Sequence, residues 1–392
     1  MSRLLIKNVK AVQPHGTSQL TNVLVIDGKI AEIGDVMAAG CTVIDTKGAY
    51  LFPGFVDVHV HGGGGADFMD GTPAAFETAV KAHLSHGTTT LLPTAMSASQ
   101  EELIKFINAY HDFCNVSSYG AHTPGLHLEG PYFSNVNAKS KGAQNGNVIR
   151  KIDFAEVDKL LDSAQGSILR WDAAPEMENS VAFAKKMRDA GVVCAAGHSD
   201  ATGHEAQAGF EAGFSHVTHF YNACSAYRKR EQIVTAGIVE AAYLDDSVTV
   251  ELICDGKHIP EHCLRLALKV KGHDNVIGIT DAMRLSCTEQ TSGKLGSLNN
   301  GTNVIVDDNV AKLPDMSSYA GSVCTMERAL QVLCIDYKIS PVVAAKLLST
   351  NPAKHIGMGS VIGSIEVGKD ADLVVVDSHF CVCSVIKKGK LI

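Results

Sequence analysis

The sequence predicts a (β/α)8 TIM-type barrel carrying a small β-sandwich domain built from both chain termini. Three observations predict it. Eight short runs rich in β-branched residues recur through the middle of the chain, most of them separated by amphipathic helical stretches. Strand-like runs also fill both ends, where neither end holds enough apolar residues for a core of its own. Histidines and carboxylates close six of the eight central runs, which is where a barrel of this kind gathers its chemistry.

The elements follow in order. Leu4-Leu5-Ile6, Asn22-Val23-Leu24-Val25-Ile26 and Thr42-Val43-Ile44-Asp45 read as strands, with Asp27-Gly28-Lys29 as a hairpin-type turn. Phe55-Val56-Asp57-Val58-His59-Val60-His61 is the first central strand. Its side chains alternate between faces, so His59 and His61 point the same way. Gly62 to Gly65 then let the backbone turn sharply near any ligand. Thr72 caps the next helix, with Pro73 at its first position. Thr88-Thr89-Thr90-Leu91-Leu92 is the second strand, and Ser99 with Glu102 forms a capping box for the helix after it.

Six further strands read Gly125–Leu128, Ser167–Trp171, Val192–Ala196, His216–His219, Val248–Ile253 and Val276–Thr280. Gly87, Gly191 and Gly213 end helices. Gly363-Ser364-Ile365, Asp372–Asp377 and Ser384–Lys387 complete the terminal domain. The expected division is residues 1–53 plus 356–392 for the β-sandwich, and 54–355 for a metal-dependent hydrolase barrel. A doubly wound open sheet is the alternative, but no Gly-x-Gly-x-x-Gly follows a strand.

Composition narrows the function. With 392 residues, 45% of them hydrophobic, the chain can bury a large core. A net charge of -8 argues against a nucleic-acid binder. The segment Met1–Lys7 carries no secretory signal, and no apolar run approaches the roughly 18 residues of a membrane span. The 11 cysteines, an odd number with no Cys-x-x-Cys, read as buried free thiols of a cytoplasmic protein.

The strand ends carry His59 and His61, then Glu129, His198, His219, Asp255 with His258, and Asp281. An isolated His-x-His suits a core pair as well as a metal pair, but uncompensated buried charge is costly, so this larger set must pair or hold a cation. His216 and His219 differ by an odd number and should face opposite ways; His219 is preferred as the nearer to the strand end. His204 lies in a helical stretch and reads as surface. Nitrogens with one or two carboxylates suit zinc, iron or manganese rather than calcium. Asp281, the acid left after the ligands are assigned, is the natural proton shuttle, and hydrolysis at a carbonyl is the reaction class.

These segments resemble the amidohydrolase superfamily and, within it, the sugar-phosphate N-deacetylases. The resemblance rests on Pro53–Gly62, His127-Leu128-Glu129-Gly130-Pro131-Tyr132, Gly197-His198-Ser199, Thr218–Ala223, Asp255–His258 and Thr280–Met283. Asn351–Lys354 and Gly368–Leu373 are shared by the wider superfamily. The resemblance implies hydrolysis of the acetamide of N-acetyl-D-glucosamine 6-phosphate, with the galactosamine isomer as the alternative substrate. A cyclic-amide hydrolase or deaminase is a further alternative, although those commonly bridge their metals with a carbamylated lysine. A non-catalytic metal-binding scaffold is disfavoured by the intact set.

By resemblance, Glu129, His198 and His219 hold one divalent ion. His59 and His61 hold a second, with Glu129 bridging. Asp281 activates water and protonates the amine, and His258 helps polarise the acetyl carbonyl. Asn222 and Ala223 contact the sugar phosphate. Ala143, Gln144, Tyr319, Ala320 and Gly321 line the sugar pocket. The basic run Tyr227–Gln232 departs from the family pattern. Arg230 has the spacing expected of a phosphate ligand, and Arg228 competes with it. A neighbouring subunit is implied at this site, hence a homodimer.

Overall fold

The computed structural model describes residues 2–37, 39–116, 120–230 and 232–392, with Arg230 described by its backbone alone. Eight parallel strands form one sheet in chain order: Phe55–Val60, Thr88–Ala95, Leu126–Tyr132, Ile168–Ala173, Val193–Ala196, Phe214–Val217, Thr249–Ile253 and Val276–Ile279. Strands one to eight below refer to this sheet. Its two edges meet. The Asp281 N–H donates to the His59 carbonyl at 3.0 Å, and the His61 N–H donates to the Ala282 carbonyl at 2.8 Å. Sequential parallel order with helical crossovers is consistent with a (β/α)8 barrel.

The helices form for legible reasons. In Pro73–Ser85 the Thr72 side chain accepts from the Ala75 N–H, and Pro73 occupies the first turn. Phe76, Ala79, Val80, His83 and Leu84 recur at helical spacing and are buried against the sheet. The Ser99–Glu102 box forms at both contacts, 3.1 and 3.3 Å. Each strand that reads as a continuous apolar run is buried on both faces, as a parallel sheet covered by helices requires.

A separate sheet joins the two ends of the chain. Tyr50–Pro53 pairs with Leu373–Val376 in antiparallel register, Leu373 opposite Pro53. Tyr50–Pro53 also lies parallel to the long strand Arg3–Gln13. Leu4, Ile6, Val9, Ile365, Leu373 and Ile386 share one core there. Ile362, only three residues before Ile365, packs instead with Val56, Val58 and Ile277 of the parallel sheet. Only Gly54 separates the terminal strand Tyr50–Pro53 from strand one. A Cβ at Gly54 would fall 2.1 Å from Thr89 Oγ1, so the link between the two sheets lies too close to strand two for a side chain.

Several expectations are corrected. Gly363-Ser364-Ile365 is not a strand: Gly363 has φ +91 and the segment turns. Strand six stops at Val217, so His219 lies beyond it at φ +28, where strand alternation no longer applies. The cysteines are all free but not all buried; Cys114, Cys381 and Cys383 are exposed. A three-stranded antiparallel sheet of Ser292–Leu295, Thr302–Asp307 and Val310–Lys312, absent from the sequence reading, follows strand eight. Among the described residues, no helix is long and apolar enough to cross a membrane.

Candidate metal centre and active site

Four imidazoles converge on one carboxylate at the strand ends. His198 Nε2 and His219 Nε2 each lie 3.0 Å from Glu129 Oε1 and 3.1 Å from one another. On the other side, His59 Nε2 lies 3.3 Å from His61 Nε2. The distances from these two to the Glu129 carboxylate are 3.7 and 3.5 Å. Two groups can therefore hold a metal ion, His59 with His61 and Glu129, and Glu129 with His198 and His219. Glu129 is common to both.

The opposite ring nitrogens decide what the cluster wants. His198 Nδ1 faces the Ser140 and Lys141 carbonyls, each at 3.1 Å. His219 Nδ1 faces the Asn222 carbonyl at 3.0 Å, and His61 Nδ1 the Thr94 carbonyl at 3.3 Å. His59 Nδ1 faces Glu251 Oε1 at 2.7 Å. Each Nδ1 meets only acceptors, so it carries the proton and leaves Nε2 bare. Four bare nitrogens around a buried carboxylate repel one another unless a cation lies between them. The donor set of nitrogens and carboxylate oxygens fits a divalent transition metal.

In the metal-free protein the same Nε2 atoms take up protons instead and donate to Glu129 and Asp281. Burial pulls His61 down, but its hydrogen bond to Asp281 and the charge of Glu129 outweigh it and push it up to about 9. Burial opposes ionisation of Glu129 as well, yet hydrogen bonds from His198 and His219 hold it well below the usual carboxylate range.

Asp281, the acid left over once the candidate ligands are assigned, is itself in contact with the cluster. Its Oδ1 lies 3.2 Å from His61 Nε2 and 3.5 Å from His59 Nε2. Burial raises its pKa, but the charge of His59 and the hydrogen bond from His61 bring it below the ordinary value. His258 Nδ1 lies 2.7 Å from Asp255 Oδ2, which leaves its other nitrogen unused by that contact. The Tyr319 ring packs on His258 with centroids 4.8 Å apart.

The backbone is held in unusual conformations here. His198, His219, Tyr221, Ala223 and Asp281 all have positive φ, between +28 and +78. Such strain in residues other than glycine gathers where side chains must be aimed at a site.

Above the cluster lies a pocket open to solvent, with His61, Glu129, His198, His219 and Asp281 in its lining. Ala143, Gln144, Asn222 and Ala223 line it, with His258, Tyr319 and Gly321 opposite. Gln144 also donates to Glu129 Oε2 at 2.7 Å, so it orients the shared carboxylate. Ala320 does not line the pocket; it packs in a core with Met96, Met283 and Leu285. Arg228 does not line it either, because its guanidinium holds Asp200 Oδ1 at 2.5 Å and the Asp200 carbonyl at 2.7 Å. Arg230 ends the short strand Arg228–Arg230, and its side chain lies outside the described residues. His204 is exposed, as expected.

Sequence reading missed a charged layer below the metal cluster. Arg170, Asp172 and Glu251 are fully or almost fully buried within strands four and seven. Arg170 Nε lies 2.9 Å from Asp172 Oδ1, and Nη1 lies 2.5 Å from Glu251 Oε2. The signal was present: a charged residue inside an apolar strand run must find a partner.

A model of the amidohydrolase family matches residues 50–392. The chain belongs to the amidohydrolase family. This amidohydrolase is 31% identical to an N-acetylglucosamine-6-phosphate deacetylase of Lysinibacillus sphaericus, over 99% of this chain and 97% of that protein. It is 29% identical to an N-acetylgalactosamine-6-phosphate deacetylase of Escherichia coli O157:H7, over 94% and 93%. Among solved structures, the N-acetylglucosamine-6-phosphate deacetylase of Pasteurella multocida superposes with a TM-score of 0.91 at 27% identity, covering 100% of this chain and 99% of that one. A mutant of the Mycobacterium smegmatis enzyme, in complex with N-acetyl-D-glucosamine-6-phosphate, gives 0.90 at 27% identity, with the same coverage.

Proposed function

We propose that this amidohydrolase hydrolyses the acetamide of N-acetyl-D-glucosamine 6-phosphate to D-glucosamine 6-phosphate and acetate. The observation that carries the reading is the set of four imidazole nitrogens around Glu129, with Asp281 beside them, at the base of an open pocket. Glu129, His198 and His219 would hold one divalent ion, and His59, His61 and Glu129 a second; zinc, iron or manganese suits the donors. When bound, such an ion polarises the acetyl carbonyl and lowers the pKa of water to about 7.

The chain's own residues do the rest. Asp281 takes the proton from the attacking water and returns it to the departing amine nitrogen. His258, oriented by Asp255, hydrogen-bonds the acetyl oxygen. Asn222 Nδ2 is buried with no acceptor among the described residues, and a sugar-phosphate oxygen would satisfy it. Arg230 is the proposed phosphate cation, since Arg228 is already committed to Asp200.

Tyr227, Ile233 and Val234 leave apolar surface exposed around the arginine hairpin, in which Arg228–Arg230 pairs antiparallel with Ile233–Thr235, and this supports a homodimer contact there. Free cysteines throughout suit a reducing cytoplasm. We assign residues 54–355 to the hydrolase barrel, and 1–53 with 356–392 to a terminal β-sandwich. Separate cores on alternate residues of the strand Arg3–Gln13, Leu4 and Ile6 in one and Leu5 in the other, support the sandwich.

The test is release of free amine and acetate by the metal-loaded protein from N-acetylglucosamine 6-phosphate, its galactosamine isomer and the unphosphorylated sugars. Chelator-sensitive hydrolysis that favours the phosphorylated glucosamine is expected. Equal rates with and without phosphate would remove the phosphate assignment, and faster turnover of the galactosamine isomer would reverse the substrate preference. Full activity after metal removal would overturn the reading.

A further inference from the structure

Glu251 stands mid-way along strand seven, fully buried beneath the pocket, and takes no part in the proton transfer described above. Its Oε1 accepts from His59 Nδ1 at 2.7 Å and from the His219 backbone N–H at 3.0 Å. Its backbone carbonyl accepts from the Phe220 N–H at 2.7 Å. One residue thus holds a histidine ring from one metal-ligand group and the turn that aims a histidine of the other.

A purely structural partner of Arg170 would not need this arrangement. Arg170 reaches Asp172 through two contacts, 2.9 and 3.2 Å, and Glu251 through Oε2 at 2.5 Å. Its further contact with Oε1 is longer, at 3.1 Å, whereas Oε1 lies closest to His59. The layer contains one guanidinium and two carboxylates. The surplus negative charge lies directly beneath the imidazole cluster, where it makes the ligand nitrogens more basic.

We propose that Glu251 is the positioning residue that couples the two metal-ligand groups, fixing His59 as the Nδ1–H tautomer with Nε2 free for the ion, and pinning the left-handed turn at His219. The inference rests on the metal-dependent reading above. Glutamine cannot reproduce the role. If its oxygen faces His59, its NH2 group meets the Arg170 donors; if it is reversed, the NH2 group meets His59 Nδ1 and drives the proton to Nε2.

The experiment compares wild type with Glu251→Gln at controlled free zinc concentration, reading bound zinc by elemental analysis. Circular dichroism of the zinc-free proteins checks the fold. Wild type is expected to hold two ions per chain. The variant is expected to lose the ion at His59, His61 and Glu129 first, with affinity there weakened by roughly 10- to 100-fold. Two ions bound with wild-type affinity would overturn the inference.

If the variant does not fold, long-range proton–nitrogen NMR on the zinc-loaded wild type decides the matter. A proton on His59 Nδ1 supports the inference, and one on Nε2 overturns it. A wild type that takes up no metal overturns the proposed function and the inference together, whereas either of the other adverse results overturns the inference alone.

Discussion

Asp281 Oδ1 lies within 3.5 Å of both His59 Nε2 and His61 Nε2. A carboxylate placed there can pass a proton between water and leaving amine without moving far. Asp281→Asn preserves size and removes that capacity. Turnover of the phosphorylated sugar should fall by roughly 10²–10⁴-fold, with bound metal measured by elemental analysis unchanged. Retained turnover would assign the proton to another group.

His83 provides a second residue-level outcome, away from the metal ligands. Burial pushes its pKa down to about 4, although its hydrogen bond to the Gly62 carbonyl opposes the shift. The unfolded chain takes up this proton near pH 6.5, before the folded protein can. The contribution to stability is therefore full above about pH 6.5 and is lost as pH falls to about 4. It amounts to about 3 kcal/mol for this group. Chemical denaturation at several pH values should show a shallower decline for His83→Gln, which keeps a donor for Gly62 but does not titrate. Identical slopes would show that His83 is not the sensor.

The four histidines and Glu129 that the structure brings together were legible in sequence because each is a titratable residue at or near a strand end. Glu251 and Arg170 were harder, since they are single charges inside otherwise ordinary strand runs. The contact between Arg228 and Asp200 was not legible at all, because nothing local predicts which acid an arginine meets.

At the scale of elements, the arginine hairpin is held in place by a tight crossing. Gly237, which begins the helix Ile238–Leu244, passes so close to the strand-six loop that a Cβ would fall 2.4 Å from Ser225 C and 2.5 Å from Ala226 N. The Gly203 N–H donates to the Ala236 carbonyl at 2.9 Å just before this crossing. Gly237→Ala should force the backbones apart and cost about 1–3 kcal/mol, read as a lower denaturant midpoint. It should also raise KM for the phosphorylated sugar, because residues 228–235 move with the crossing. An unchanged midpoint would mean that the loop yields freely.

Most elements could be read from apolar period and caps, as Thr72 and the Ser99–Glu102 pair illustrate. Strand six could not be ended correctly, because Thr218 and His219 continue a strand-like composition while the backbone has already turned at His219. The Ser292–Lys312 sheet was missed although Val304-Ile305-Val306 before Asp308-Asn309 is a strand-and-turn pattern; its partner Ser292–Leu295 is largely polar and partly exposed.

For the whole molecule, the candidate metal ligands come from strands one and three and from the segments just after strands five and six, so ions there would cross-link much of the parallel sheet. Ligation stabilises the folded state alone. Free zinc at 100 times its dissociation constant should add about 2.7 kcal/mol. Thermal melting should shift downward on chelation and recover when zinc is restored. A melting temperature indifferent to both would exclude a structural contribution from the metal.

The alternating strand–helix pattern made the parallel sheet legible at this scale, and weak cores at both ends pointed to their union. The register that joins them, Leu373 opposite Pro53, was beyond reach, since pairing across most of the chain leaves no local mark.

That union also sets an order of events during synthesis. The strand Tyr50–Pro53 emerges from the ribosome early, yet its antiparallel partner Leu373–Val376 is translated about 300 residues later. At about 5–20 residues per second, the delay is about 15–60 s. Through that interval the edge at Tyr50–Pro53, one residue from the strand that carries His59, has no neighbour on that side. The terminal sheet is therefore among the last parts of the molecule to be completed, and the nascent chain must protect a bare strand edge while the catalytic half is still being made.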